Sequence, residues 1–158
     1  MRTEFGFERT SCECRVCRRN CMYMPGFLIP ADLERMIPVG SDPLKWAEDN
    51  LLASPGALVM KNGNTFRIPT LVPAVKPDGS CIHYRQRKCQ IWENSPFGCA
   101  FFDCGPERGG MSHLGLIEIC ELWVRQDESL YVQIWLHLAE LKLFQESADV
   151  LRERMALS

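Results

Sequence analysis

No stretch of this chain is an uninterrupted apolar run long enough to span a membrane. Its start, MRTEFGFERTSCEC, intersperses charges and lacks the apolar segment that secretion requires. The expected compartment is therefore the cytoplasm, which is reducing. Charge of one sign is not in excess either: 18 Lys and Arg stand against 20 Asp and Glu, a formal net charge of -2. Residues 1 to 21 carry five Arg against three Glu, and residues 107 to 158 carry nine acids against five bases. Neither imbalance is the basic footprint of a dedicated nucleic-acid binder, so that partner class is disfavoured. Also missing are a nucleophile-and-base motif, a phosphate-cradling glycine loop and a His-Glu zinc motif. The GPERGG run from Gly105 to Gly110 lacks the strand-to-helix setting of a phosphate loop. Whether the chain is an enzyme is left open by these absences.

Cysteine, by contrast, is abundant. Nine cysteines occur in 158 residues, in a chain that is 46% hydrophobic and 24% charged. A soluble chain of this length buries a core without cross-links, so disulfides are not needed for folding. In a reducing compartment, grouped cysteines point to metal ligation rather than disulfides. Eight of them form two groups. Cys12, Cys14, Cys17 and Cys21 lie in CECRVCRRNC, and Cys81, Cys89, Cys99 and Cys104 lie in CIHYRQRKCQIWENSPFGCAFFDC. Two sets of four match two tetrathiolate zinc sites, or iron–sulfur ligation with cysteines to spare. Thiolates are soft donors and suit both metals. The spacings are neither those of a zinc ribbon nor those of a bacterial ferredoxin, and they do not say which sulfurs share a metal.

The ninth cysteine, Cys120, sits among Ile119, Leu122 and Trp123 and reads as a small hydrophobe. His83, two residues after Cys81, is the stronger of two candidate substitutes for a cysteine ligand, His113 being the other; His137 reads as structural. Arg15, Arg18 and Arg19, and the Arg85–Lys88 run RQRK, can neutralise thiolate charge or bind an anionic partner. Trp92, Phe97, Phe101 and Phe102 are placed to cover a metal site with apolar surface.

The remaining pattern predicts an α+β single domain over residues 1–158, with a cysteine-cluster region at 12–104 and a helical region at 111–158. LIPADLERMIP predicts a short helix with Pro30 in its first turn and Pro38 ending it. SDPLKWAEDNLLAS predicts a second, capped by Ser41 or Asp42 and stopped by Pro55 and Gly56. Asn-Gly between β-branched runs predicts a hairpin over roughly 57 to 72. PAVKPDGSC is a turn that delivers Cys81, and the chain from there to Gly110 reads as loop-rich. Ser112 can cap a helix through Leu116, Ile119 and Trp123, a segment that also reads as a strand. Leu130, Ile134, Leu138, Leu141, Ala148, Leu151 and Met155 share one helical face. If continuous from 129 to 156, that helix is roughly 40 Å long. Packing on its own core is the favoured reading of that tail, and a surface for a protein partner is the alternative.

The clustered amino-terminal cysteines, an intervening helix, and Cys89, Ile91-Trp92, Pro96 and Cys99 in succession resemble the YkgJ-type cysteine-cluster family of zinc- or iron-chelating domains. The resemblance covers residues 12 to 104. It departs from the family pattern in its separated first cysteines and in Ser95 before Pro96. It implies metal binding by zinc or iron. A related motif in flagellin lysine methylases adds an iron–sulfur enzyme as an alternative, and a zinc-stabilised nucleic-acid-binding module is a third.

Overall fold

The computed structural model describes residues 15–23, 25–61, 63–101 and 129–146, with 150 and 153. Cys12, Cys14, Cys104, Cys120, His113, Phe102 and the segment read as helix or strand near Ser112 lie outside the described residues. The class is α+β, as the sequence predicts. In chain order come α1 (Arg15–Tyr23), α2 (Pro30–Met36), α3 (Pro43–Asn50), β1 (Leu51–Lys61), β2 (Asn64–Pro73), β3 (Tyr84–Arg85), β4 (Lys88–Cys89), a 3-10 turn (Trp92–Asn94), α4 (Phe97–Phe101) and α5 (Ser129–Glu140). Among the described residues no helix is long and apolar enough to cross a membrane.

Helix α2 starts at Pro30, whose missing N–H costs nothing at that position, and ends where Ile37 turns extended ahead of Pro38. Helix α3 is capped by Asp42, whose carboxylate accepts the N–H groups of Leu44 at 2.9 Å and Lys45 at 3.2 Å. It ends at Asn50 rather than continuing to Ser54. Leu51 and Ala53 are fully buried while Leu52 between them is only partly so, which is the two-residue period of a strand. Pro55 also biases Ser54 towards extended backbone. The hairpin is accordingly longer than its Asn-Gly signal outlined, with Leu51 opposite Pro73 and Lys61 opposite Asn64. Its register shifts between Ser54 and Ala57. Gly56 lies in that bulge at φ 92°, and a Cβ there would stand 1.5 Å from the carbonyl oxygen of Ile68.

One core unites these elements. Leu28, Leu33, Ala47, Leu51, Ala53, Leu71, Tyr131, Ile134 and Leu138 are buried against one another, so α2, α3 and α5 close over the base of the hairpin. Leu28 donates its N–H to the Leu71 carbonyl at 2.8 Å. The return path passes through a side chain: the Tyr131 hydroxyl accepts the Leu71 N–H at 2.7 Å and donates to the Leu28 carbonyl at 2.7 Å. Trp135 donates its indole N–H to the Ser54 carbonyl at 3.0 Å, and His137 meets Glu48 at 3.0 Å, a structural role as expected of it.

The carboxy-terminal helix is not continuous. After Glu140 the chain turns at Lys142, φ 59°, with Lys142 N–H on the Ala139 carbonyl and Leu143 N–H on the Leu138 carbonyl. These two bonds form a Schellman cap, usually closed by glycine. The next residues then run alongside β1, where Ala53 exchanges hydrogen bonds with Leu143 and Gln145. Leu141, beyond the helix end, is therefore 48% exposed rather than part of the core face.

Two consequences are open to measurement. Tyr131→Phe leaves the Leu71 N–H and the Leu28 carbonyl buried without partners. It should lower unfolding free energy by about 1–3 kcal/mol in urea denaturation. Lys142→Gly removes left-handed strain and should raise it by about 1 kcal/mol, read as a higher urea midpoint at unchanged slope.

Candidate metal centre

Four of the eight predicted cysteines come together. Cys21 of α1, Cys81, Cys89 of β4 and Cys99 of α4 line one cavity of about 50 Å³, and members of both sequence groups contribute to it. All four are thiols rather than disulfide halves. Cys17 falls in α1, but its side chain is outside the described set.

Each sulfur is delivered by a local device. Cys21 sits in the last turn of α1, and its carbonyl accepts the Cys81 N–H at 2.7 Å. The turn before Cys81 is closed by the Gly79 N–H on the Lys76 carbonyl and by the Lys76 N–H on the Ser80 carbonyl. Gly79 takes φ 82°, and Asp78 accepts both the N–H and the hydroxyl of Ser80. Beyond Cys81, where the sequence read as loop, β3 and β4 form a minimal hairpin that sets Cys89 opposite Tyr84. Its two turn residues, Gln86 and Arg87, hold φ 51° and 64° without being glycine. The basic run Arg85–Lys88 is exposed at this tip.

Cys99 depends on a backbone crossing. The Gly98 N–H donates to the Phe27 carbonyl at 2.8 Å and the Gly26 N–H donates to Cys99 Sγ at 3.2 Å. A Cβ on Gly26 would lie 2.2 Å from the Cys99 nitrogen, and one on Gly98 would lie 2.4 Å from the Phe27 nitrogen, so both positions require glycine. Asp32 fixes this crossing from below. Fully buried, it accepts the N–H of Ile29 at 2.9 Å and that of Phe97, the first residue of α4, at 2.8 Å. Arg35 pairs with its other oxygen. Neither Asp32 nor the two glycines belong to the cysteine pattern, and only the position of Asp32 in the first turn of α2 hints at a capping role.

The cavity wall is apolar: Pro25, Pro73, Pro96, Ile91 and Trp92 face it. Trp92 lines this cavity, whereas Phe97 is fully buried, 5.7 Å from the Phe27 ring, and the Phe101 side chain lies outside the described set. Burial pushes the Cys81 thiol up to about 11; backbone hydrogen bonding from His83 and Tyr84 and the charge of Lys76 act against this, while Cys89 adds to it. Cys99 is pushed up further, by burial first and then by Cys81, with Cys21 and Cys89 also raising it. The four sulfurs therefore sense one another electrostatically. Among the expected cations, Arg19 is exposed, and the Arg18 Nε is buried with no hydrogen-bond partner among the described residues. Lys76, which also donates to the Tyr84 carbonyl, is the one whose charge reaches Cys81.

His83 lines the same cavity. Burial, and secondarily Arg85, lowers its pKa, which favours the neutral ring. Its Nε2 is buried with no hydrogen-bond partner among the described residues.

Sulfurs in an apolar wall resist ionisation until a positive charge compensates them, and an amide N–H already addresses one of them. As placed, no three of the described His, Cys, Asp and Glu side chains stand close enough to chelate one ion, so the donors ring the cavity without closing on its centre. The chain matches no family model, no curated protein and no solved structure.

Removing the support beneath the site has a defined outcome. Asp32→Ala strands two buried N–H groups and the Arg35 partner, and should destabilise the fold by about 3–5 kcal/mol. In metal-free protein, Cys99 should then alkylate faster with iodoacetamide, because α4 loses its anchor. An unchanged Cys99 rate would show that Asp32 does not hold the crossing.

Proposed function

We propose that this chain is a cysteine-cluster metal-binding protein whose centre is built from Cys21, Cys81, Cys89 and Cys99. The observation that supports it is their convergence, from three elements and the turn segment that carries Cys81, on one small apolar cavity. The motif resemblance to zinc- or iron-chelating domains points the same way. A volume of about 50 Å³ is room for a few waters, or for one ion once the side chains turn inward. That favours a mononuclear centre over a multi-iron cluster. Four sulfurs around one ion give closed tetrahedral coordination, the arrangement of structural zinc sites. Binding would release the thiol protons and tie α1, β4 and α4 together, so chelation would contribute directly to folding. Zinc is the favoured ion, and the role is structural.

The test is metal content with an absorption spectrum on full-length protein purified without oxygen. Zinc near one equivalent and a colourless solution are expected. Cys81→Ser and Cys99→Ser should each weaken zinc binding by at least the roughly 10–100-fold that loss of an outer-shell partner costs. Iron with acid-labile sulfide would replace the zinc reading with an iron–sulfur one. Full metal retention in both variants, or no metal at any stage, would remove the site.

A further inference from the structure

Two of the cavity thiols are tied together through their backbones. We infer that Cys21 and Cys81 are a modification site: hydrogen peroxide joins them in a reversible disulfide, an inference that stands on its own geometry and not on the metal-centre reading. The last four carbonyls of a helix have no partner within it. The Cys21 carbonyl is one of these in α1, and it accepts the Cys81 N–H at 2.7 Å. With standard bond lengths, that contact holds the two Cα atoms within about 6.6 Å of each other. Disulfides span roughly 4.4–6.8 Å between Cα atoms, provided the side chains do not point apart. Cys21 and Cys81 line one cavity, so their side chains share a common space. No three of the described His, Cys, Asp and Glu side chains stand close enough to chelate an ion, but a disulfide needs only two sulfurs.

Cys21 is half-buried and Cys81 is 6% exposed, so an oxidant meets Cys21 first. The Cys21 sulfur attacks one oxygen of hydrogen peroxide, the O–O bond breaks, and one water leaves with the thiol proton, giving a sulfenic acid. The Cys81 sulfur then displaces the sulfenic oxygen: the S–O bond breaks, the S–S bond forms, and a second water carries off the Cys81 proton. In all, two thiols lose two electrons and one peroxide is reduced to two waters. The bridge staples the end of α1 to the turn ahead of β3 and restricts the unfolded chain over everything between them. It also withdraws two of the four sulfurs, so the oxidised chain cannot form a four-sulfur centre.

Tryptic mapping of the full-length protein tests this, because cleavage after Arg19, Arg35, Arg67 and Arg85 leaves Cys21 and Cys81 as the single cysteines of residues 20–35 and 68–85. Metal-free protein is treated with a slight molar excess of hydrogen peroxide, the remaining thiols are blocked with N-ethylmaleimide, and the digest is read by mass spectrometry without reductant. The expected main product is the two peptides joined, lighter by two hydrogens than the separate pair and parted by dithiothreitol. Peroxide should also raise the urea midpoint of the wild type, a shift that Cys81→Ser loses. Both peptides carrying maleimide after peroxide, or either joined mainly to a different cysteine peptide, would overturn the inference. Repeating the experiment on zinc-loaded protein separates it from the metal-centre reading. Joining slowed by zinc supports both, whereas joining at one rate in both forms supports the disulfide and removes the centre.

Discussion

One buried carboxylate holds the architecture around the cavity in register. Asp32 sits at the third residue of α2, so its position is set by a short helix that packs into the main core through Leu33. From there it reaches the first N–H of α4, a helix of five residues that could not stand alone. Everything distal to that bond follows from it: the Gly98–Phe27 hydrogen bond, the closeness of Gly26, and the placement of Cys99. Two backbones without side chains meet there because nothing larger fits between them. The molecule thus has a well-packed half, centred on α5 and the hairpin base, and a thinner half of short elements suspended from it.

That division matters for the chemistry. The core is filled by Leu, Ile and Tyr and needs no help to cohere. The cysteine-bearing half has little apolar surface of regular period. Its order rests on turns, prolines and single hydrogen bonds. Apolar walls around the thiols raise the cost of ionising them, as the elevated Cys81 and Cys99 values express. On the metal-binding proposal, a dication among them would reverse that cost, and the low-polarity setting that makes these thiols reluctant to ionise would strengthen its hold.

Much of the frame was legible in the chain itself. Pro30 and Pro38 marked α2, Asp42 and Pro43 marked the start of α3, and Asn-Gly located the hairpin, because each acts through its own backbone. The helix predicted through Ser54 shows where such local reading stops. Leu51 and Ala53 suit either element, and only pairing with Thr70–Pro73 turned them into strand. Likewise the stripe from Leu130 to Met155 reads as one long helix, yet Lys142 adopts a left-handed cap that its identity does not announce. For the cavity, the cysteine types were visible, but their partition was not. Sequence proximity groups Cys21 with Cys17, and nothing in it foretells that the fold also sets Cys21 against Cys81. Asp32, Gly26 and Gly98 carry no chemical signature, since what they do is defined by residues far along the chain.

The Gly26–Cys99 crossing joins positions 73 residues apart, which gives the cavity a place in time as well as in space. Contacts of such sequence separation form late, after local helices and the hairpin. On a ribosome adding about 5–20 residues per second, Gly26 waits roughly 4 to 15 s for its partner to be made. Throughout that interval the wall that α4 contributes beside Cys21 does not yet exist. Cys21, half-buried in the finished fold, is therefore most open to oxidants in the half-made chain.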